Sequence, residues 1–222
     1  MENVSFRKIK FPPLEEANED GILAVSREIN TDFLFSAYAE GIFPWPSEEE
    51  YVLWFAPPDR TVLDFHNLKI SERTKRYLKK ADFKFQVNMN FRDVIKACSE
   101  SPRKFQSGTW ITKKLMSAYI DFNRLGFAWS FETLNSKNEL VGGLYGVLAG
   151  KYFSGESMFC REDNASKFAL INTVNYLKEH GLTWMDVQAE TPLLKRFGAA
   201  NISREEFTAR LKRDLSFTLK ER

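Results

Sequence analysis

The alternation of hydrophobic and polar positions predicts a chain of short strands and helices. Alternating positions and short apolar runs predict strands at 51–55, 61–65, 83–89, 127–134, 139–148, 151–155 and 182–188. Apolar positions at helical spacing predict helices at 32–40, 71–81, 91–99, 113–125 and 166–180, and a last helix after residue 203. Helices and strands therefore both contribute to a mixed fold.

Polar residues and glycines mark the ends of these helices. The expected N-caps are Thr31, Ser71, Thr112, Asn164 and Ser203, the last with Glu206 at the spacing of a capping box. Gly41, Gly126 and Gly181 follow helical segments, where glycine commonly ends a helix. The polar turn at 135–138 predicts that the two strands beside it form a hairpin.

The order of the elements predicts an α/β fold of the α+β kind. An antiparallel meander, a helix and a further strand follow one another in the second half of the chain. This is the layout of a GNAT-like domain, the acyl-CoA N-acyltransferase type, with a mixed, largely antiparallel sheet flanked by helices. Prolines and tryptophans around the strand at 51–55 indicate a small N-terminal α/β lobe. We expect this lobe at 1–62 and the GNAT-like domain at 63–222.

Composition narrows the functional classes. A net charge of +2 excludes a strongly basic nucleic-acid binder of the histone kind, but not a local basic surface. With 2 cysteines and 2 histidines, the chain is poorly supplied for a zinc site or a Ser–His–Asp triad. The N-terminus has no signal-peptide pattern, and no apolar run approaches the roughly 20 residues that span a bilayer. We therefore expect a cytoplasmic protein.

Three polar residues beside apolar strands are the main candidates for chemistry. Asp186 and Gln188 are two positions apart on a predicted strand, so their side chains should share a face. Glu156 follows a strand in a predicted Gly-Glu-Ser turn, where a carboxylate can bind an ammonium group by a charge-assisted hydrogen bond. Each also has a structural interpretation, as a polar pair at a strand end or a surface carboxylate. Because all three flank one meander, we expect them to converge beside an apolar cavity.

A row of basic residues lies on the predicted helix at 71–81. Arg73, Arg76 and Lys80 are spaced i, i+3 and i+7 and share one face. Such a row can contact nucleic-acid phosphates, although a solvated helix face is the more common explanation. The phosphate cradle of acyl-CoA enzymes, the P-loop and the dinucleotide fingerprint have no good match in the chain. An acyl donor other than coenzyme A is therefore favoured.

Several motifs, taken in order, resemble a known family. They are GIFPWP at 41–46, LWFAPPDR at 53–60, GTWIT at 108–112, LVGGLYGV at 140–147, FSGESMF at 153–159, NASK at 164–167 and DVQ at 186–188. Together they resemble the leucyl/phenylalanyl-tRNA–protein transferases, bacterial aminoacyltransferases of the N-end rule pathway. The resemblance implies transfer of Leu or Phe, and sometimes Met, from aminoacyl-tRNA to the α-amine of a protein that begins with Arg or Lys. The modified protein is then degraded.

The resemblance also assigns roles to residues. Asp186 would orient and polarise Gln188, which hydrogen-bonds the incoming amine, and Glu156 would hold the amino group of the aminoacyl moiety. The expected walls around the apolar side chain are Leu144, Phe153, Leu170, Thr173, Leu177 and Met185, and Ser157 and Met158 are also expected to bind the substrate. The residues expected to contact the terminal adenosine or to frame the entrance are Trp45, Trp110 and Tyr119. The tRNA acceptor stem is expected on Arg73, Lys75, Arg76, Lys79 and Lys80.

The expected partners are Leu-tRNA, Phe-tRNA and acceptor proteins with N-terminal Arg or Lys, bound by a monomer that needs no metal, cofactor or membrane. Two other interpretations stay open from the sequence alone. One is a GNAT-type enzyme that uses acyl-CoA, for which the phosphate-cradle signature is missing. The other is a non-catalytic RNA- or peptide-binding module, in which Asp186 and Gln188 only stabilise a strand.

Overall fold

The computed structural model describes residues 6–46, 50–101 and 110–215. Their α-helices are α1 Thr31–Ala39, α2 Glu72–Lys80, α3 Phe91–Glu100, α4 Lys113–Arg124, α5 Ala165–Glu179, α6 Pro192–Phe197 and α7 Arg204–Asp214. Their strands are β1 Ile22–Ser26, β2 Phe43–Pro46, β3 Val52–Phe55, β4 Asp59–Asp64, β5 Lys84–Val87, β6 Ala128–Leu134, β7 Leu140–Ala149, β8 Tyr152–Cys160, β9 Trp184–Gln188 and β10 Ala200–Ser203. Short 3₁₀ turns lie at Leu14–Glu16 and Phe65–Asn67.

A large sheet with strand order β10-β4-β9-β8-β7-β6-β5 forms the centre of the molecule. β8 and β9 run parallel, and the other neighbouring strands run antiparallel. The predicted hairpin is present, because β6 and β7 pair on either side of the turn at 135–138. Tyr145 of β7 faces an apolar cluster shared with α3, whereas Leu144 faces a second cluster shared with α5. A largely antiparallel sheet covered by helices on both faces confirms the GNAT-like α/β fold class.

Gly142 allows α5 to pack closely on β7. A Cβ atom at this position would lie 2.6 Å from the Cβ of Ala165, the first residue of α5. Only glycine permits so close an approach of a helix to a strand. Gly142 therefore sets the distance between α5 and the sheet.

A small sheet with strand order β1-β3-β2 lies in the N-terminal part of the chain. Its fully buried Trp54 belongs to the same apolar cluster as Leu34 of α1 and Tyr145 of β7. β4 crosses the expected boundary at residue 62 and pairs with β9 and β10 of the large sheet. The division into two domains at residue 62 stays a prediction.

Most of the predicted helix starts are present. The side-chain oxygens of Ser71, Thr112 and Ser203 each accept a hydrogen bond from the backbone N–H three residues later. The capping box at α7 is only half formed, because the Glu206 carboxylate accepts hydrogen bonds from Arg210. None of the described helices has the length and apolar character that crossing a membrane requires.

Two helix starts differ from the prediction. Asn30, not Thr31, is the N-cap of α1, and its side chain accepts hydrogen bonds from two backbone N–H groups of the first turn. Asn164 precedes α5 with a φ of 62°, and its side chain accepts a hydrogen bond from Lys167 instead of capping the helix. β1, β2, α6 and β10 have no predicted counterpart.

Candidate active site

The candidate polar residues meet where the parallel strands β8 and β9 lie side by side. Ser154 of β8 is the register partner of Asp186 of β9. Two residues further along each strand, Nε2 of Gln188 donates a hydrogen bond to Oε1 of Glu156 over 2.6 Å. Glu156, Asp186 and Gln188 are 8%, 0% and 6% exposed. The structure therefore brings the three predicted catalytic residues into one buried polar cluster.

Glu156 lies inside a strand, not in the turn expected from the sequence. β8 continues to Cys160 because it pairs with β7 as far as Gly142. The pairing skips Glu156, since Tyr145 is opposite Ser157 and Gly146 is opposite Gly155. Glu156 is therefore the extra residue of a β-bulge. Bulges turn a side chain out of the regular alternation and are common beside active sites.

Asp186 is held by Arg60, a residue that the sequence pattern does not mark as part of the site. Arg60 of β4 donates from Nε to Oδ1 over 2.9 Å and from Nη2 to Oδ2 over 2.7 Å. Tyr152 donates to Oδ2 over 2.8 Å. The guanidinium, 2% exposed, lies 4.3 and 4.5 Å from the ring centroids of Phe43 and Phe207. Burial alone would lower the pKa of Arg60, but the charge and hydrogen bonds of Asp186 raise it above its ordinary value. Arg60 and Asp186 therefore form a buried ion pair.

Gln188 leaves the regular strand geometry. Its φ of 65° lies in the left-handed region, which residues other than glycine rarely adopt. Its backbone N–H donates to Oδ1 of Asp186 over 2.8 Å. The structure thus differs from the expectation that Asp186 orients the side-chain amide. Asp186 holds the backbone of Gln188, while Glu156 accepts the hydrogen bond of its amide. Strained backbone of this kind clusters at functional sites.

Glu156 is surrounded by neutral hydrogen-bond donors. Tyr38 of α1 donates to Oε1 over 2.6 Å, and Tyr119 of α4 donates to Oε2 over 3.1 Å. Burial raises the pKa of Glu156 to about 7, the hydrogen bonds from Tyr38, Gln188 and Tyr119 oppose this shift, and the charge of Asp186 adds to it. Burial and the charge of Glu156 raise the pKa of both tyrosines well above the ordinary value. A buried carboxyl group with a pKa raised in this way is a candidate for proton exchange near neutral pH.

The expected walls of the side-chain pocket pack together on one face of the sheet. The members of one buried apolar cluster include Leu144, Phe153, Leu170, Leu177 and Met185, with Met158 packed against it. Thr173 is fully buried, and its hydroxyl donates to the carbonyl oxygen of Ala169. Ser157 is half-buried next to the bulge. The buried walls are at most 3% exposed, so this apolar cluster is closed to solvent in this structure.

Two open surface cavities lie away from the polar cluster. One, of about 510 Å³, is lined by residues around Trp184 and Arg210. The other, of about 590 Å³, lies between the start of α1 and the exposed side of α4. Neither contains Glu156, Asp186 or Gln188. The polar cluster is the stronger candidate, because it gathers buried ionisable groups and strained backbone.

The aromatic residues expected at the entrance divide into two groups. Trp45 and Trp110 stack on each other with centroids 5.6 Å apart, and Trp45 is half-buried. Tyr119 is 0% exposed and its hydroxyl is bound to Glu156, so neither face of its ring is open to a base. This placement differs from the expected role of Tyr119 as a stacking surface. Gly108 and Thr109 of the GTWIT motif lie outside the described residues.

The basic residues of α2 are exposed along the helix. We call this set the α2 basic surface; it consists of Arg73, Lys75, Arg76, Lys79 and Lys80. Lys75 pairs with the exposed carboxylate of Glu72 at 2.8 Å, and Arg76 makes a long contact of 3.4 Å with the carbonyl oxygen of the same residue. Exposed local pairs of this kind are weak, so the cations stay accessible to an anion.

Comparison with known proteins identifies the family. A family profile described as leucyl/phenylalanyl-tRNA protein transferase matches residues 62–212, and the profile of its N-terminal domain matches residues 27–58. The chain is 44% identical over 201 residues to the leucyl/phenylalanyl-tRNA–protein transferase of Lawsonia intracellularis. This alignment covers 90% of this chain and 88% of that protein. It is 42% identical over 207 residues to the transferase of the same name from Flavobacterium johnsoniae, covering 93% of this chain and 97% of that protein.

One solved structure supports the fold alone. The crystal structure of FemX has a TM-score of 0.50 with this chain at 12% identity, over 78% of this chain and 66% of FemX. The family evidence comes from the sequence matches, whose larger segment contains Glu156, Asp186 and Gln188. The chain therefore belongs to the leucyl/phenylalanyl-tRNA–protein transferase family.

Proposed function

We propose that this chain transfers Leu or Phe, with Met as a further donor, from aminoacyl-tRNA to the α-amine of a protein that begins with Arg or Lys. The observation that carries the proposal is the buried contact between Gln188 and Glu156 at the bulge of β8, in a chain of this family. The product carries a new N-terminal residue that marks it for degradation. An acyl-CoA donor and a non-catalytic role are not favoured, because the matched relatives are named as tRNA–protein transferases.

The reaction replaces an ester by an amide. The lone pair of the acceptor amine attacks the carbonyl carbon of the aminoacyl ester, the C–N bond forms, and the bond to the ribose oxygen breaks. One proton leaves the nitrogen and one proton joins the departing oxygen. The ester is already activated, so placing the amine against the carbonyl carbon supplies much of the rate.

The polar cluster supports a division of roles in this reaction. Glu156 binds the amino group of the aminoacyl moiety. The amide nitrogen of Gln188 is engaged by Glu156, so its carbonyl oxygen is the end that accepts a hydrogen bond from the incoming amine. Asp186 holds the backbone of Gln188 and Arg60 holds Asp186, so both are positioning residues. The side chain of Gln188 is not basic, so its role is to orient the amine.

The apolar cluster behind β8 is the proposed site of the Leu or Phe side chain. An apolar pocket discriminates related groups by only about 1–3 kcal/mol per methylene, so some tolerance among Leu, Phe and Met is expected. The stacked pair of Trp45 and Trp110 is the proposed contact of the terminal adenosine. The α2 basic surface is the proposed contact of the tRNA acceptor stem. A monomer acting in the cytoplasm stays the expectation from the sequence.

A transfer assay tests the function. Leu-tRNA carrying radiolabelled leucine is mixed with the protein and a peptide that begins with Arg, and the label should appear in the peptide. The same peptide with an acetylated N-terminus is the matched control and should receive no label, because it has no free α-amine. Label transferred from leucyl-CoA instead of Leu-tRNA would support the acyl-CoA alternative. A folded protein that transfers from neither donor would contradict the proposal.

A further inference from the structure

Glu156, Tyr38 and Tyr119 form a closed ring of oxygen atoms. The hydroxyl of Tyr38 lies 2.6 Å from Oε1 of Glu156, and the hydroxyl of Tyr119 lies 3.1 Å from Oε2. The two phenol oxygens lie 2.5 Å apart. Both tyrosines are 0% exposed, so bulk water does not replace any contact of the ring. α1, α4 and β8 contribute one member each, and we call this set the carboxyl–phenol ring.

The number of hydrogen atoms determines which form of Glu156 fits the carboxyl–phenol ring. Each of the three contacts needs one hydrogen between its oxygens, and each phenol supplies only one. If Glu156 is ionised, only two hydrogens are available for the three contacts, and one contact is left with no hydrogen between its two oxygens. The contact in which Tyr119 donates to Oε2 belongs to the carboxylate form. If Glu156 carries a proton, this contact reverses: Oε2 donates to Tyr119, Tyr119 donates to Tyr38, and Tyr38 donates to Oε1. The acid form therefore satisfies every contact.

The other neighbours of Glu156 are consistent with a proton on Oε2. Oε1 accepts hydrogen bonds from Nε2 of Gln188 over 2.6 Å and from the Ser154 hydroxyl over 3.2 Å, as well as from Tyr38. Oε1 is already the acceptor in three contacts, so a hydrogen on this carboxyl group belongs on Oε2. The second oxygen, Oε2, faces Tyr119 and is free to carry the hydrogen.

Asp186 and Arg60 are charged groups that face the carboxyl–phenol ring, and their charges act on Glu156 in opposite directions. Asp186 of β9 is a second carboxylate whose charge raises the pKa of Glu156. The charge of Arg60 of β4 favours the carboxylate form of Glu156, but two nitrogens of its guanidinium are engaged by Asp186. Tyr145 of β7 packs edge-on against Tyr119 with centroids 5.4 Å apart, and it is a neutral group. Within the described part of the chain, the side chains bonded to Glu156 are all neutral.

We propose that the empty site holds a proton on Glu156 within the carboxyl–phenol ring, and that binding of the aminoacyl end of tRNA expels it. The inference rests on the proposed function, which supplies the ligand. The carboxylic acid of Glu156 and the ammonium group of the ligand give a carboxylate–ammonium pair and one proton, which leaves to solvent. Tyr38 is then a positioning residue, because it sets the proton affinity of the group that contacts the ligand.

This exchange fixes the sign of the pH dependence. Glu156 is protonated in the free site and ionised in the complex, so its pKa is lower in the complex than in the free protein. Affinity should therefore rise with pH up to the value of about 7 that burial gives the free carboxyl, and then level off. At pH values below about 7, the dissociation constant should fall about tenfold for each unit by which the pH is raised.

Calorimetry with two matched ligands tests the proposal. The first ligand is an amide-linked leucyl-adenosine, which resembles the aminoacyl end of tRNA but does not transfer its leucyl group. The second has a hydroxyl in place of the α-amino group. At pH 6, in buffers of different ionisation enthalpy, the amino ligand should release about one proton on binding and the hydroxyl ligand none.

Two variants separate the carboxyl–phenol ring from a merely structural role. Glu156→Gln should abolish proton release by the amino ligand. Tyr38→Phe, which keeps the packing of the aromatic side chain but removes its hydroxyl, should move the midpoint of the pH dependence of binding away from the wild-type value. Binding of the amino ligand without proton release, or an unmoved midpoint in folded Tyr38→Phe, would overturn the proposal while transfer from Leu-tRNA still stands. Absence of transfer from Leu-tRNA would overturn the proposed function and, with it, this inference.

Discussion

Replacing Arg60 should be among the most damaging single changes to this fold. Arg60→Met keeps an unbranched side chain but removes the guanidinium that makes two hydrogen bonds to Asp186, at 2.9 and 2.7 Å. Asp186 is 0% exposed, so water does not take the place of the lost donors. Within the described residues, its carboxylate then keeps the contacts from Tyr152 and the backbone of Gln188, because the single hydroxyl hydrogen of Ser154 lies nearer to Glu156. A buried charge would thus lose its counterion.

The magnitude follows from the burial of the pair. Removing one partner of a buried ion pair costs about 3–5 kcal/mol, because the other charge stays buried without its partner. Loss of the guanidinium contacts with the rings of Phe43 and Phe207 adds about 1–2 kcal/mol. Natural domains unfold at a cost of only about 5–15 kcal/mol, so Arg60→Met should be close to unfolding. Arg60→Lys keeps the charge but not the bidentate geometry, so it should lose less stability.

Urea unfolding followed by circular dichroism measures these differences. The informative control is the double variant Arg60→Met with Asp186→Leu, in which neither charge is left buried. It should be about 3 kcal/mol more stable than Arg60→Met alone, and still inactive in transfer because the backbone N–H of Gln188 has lost its acceptor. A loss below about 1 kcal/mol for Arg60→Met, or a double variant no more stable than the single one, would refute the reasoning.

Three further predictions concern the backbone, the tRNA contact and the pocket. The free energy of unfolding, measured with urea, should be about 1 kcal/mol higher for Gln188→Gly than for Gln188→Ala, because glycine adopts a φ of 65° without strain. Equal free energies of unfolding would argue against backbone strain at this position. The double change Arg73→Ala and Arg76→Ala should make the slope of log affinity for tRNA against log salt concentration shallower by about 1.5. The control Lys137→Ala, in the exposed β6–β7 turn, should leave this slope unchanged. An unchanged slope in the double variant would remove the α2 basic surface from the interface. Leu177→Ala, at a fully buried wall, should cost about 2–5 kcal/mol of stability. When Leu-tRNA and Phe-tRNA compete, it should shift the ratio of transferred residues about tenfold towards Phe. An unchanged ratio of transferred Leu to Phe would place Leu177 outside the pocket.

The parts of the fold that the sequence predicts well are those with local signals. Ser71 and Thr112 cap helices with their own side chains, and the hairpin turn at 135–138 lies between its two strands. The missed strands depend on partners that are distant along the chain. β10 pairs with β4, and β2 pairs with β3 although it contains Pro44 and Pro46, which read as breaks in the sequence. Strand formation at these positions follows from the neighbouring strand and not from local preference.

The same distinction applies to the site. Glu156, Asp186 and Gln188 stand out because polar residues are rare in buried apolar strands. Arg60 and Tyr38 do not stand out, and they are 126 and 118 positions away from their carboxylate partners. Arg60 follows two prolines and looks like an exposed charge, and Tyr38 fits the apolar face of α1. Only the packing of β4 beside β9, and of α1 against β8, gives these two residues their partners.

The partners of the two carboxylates decide which of them meets the substrate. Asp186 has about four lone-pair positions, and Arg60, Tyr152 and the backbone of Gln188 fill them, so it has no acceptor left for an amine. Glu156 is bonded only to neutral donors within the described residues and releases its proton near neutral pH. Two carboxylates in different environments can thus divide structural and chemical roles. Gln188 connects them, with its backbone on Asp186 and its amide on Glu156, so that a change at either carboxylate displaces the group that orients the acceptor amine.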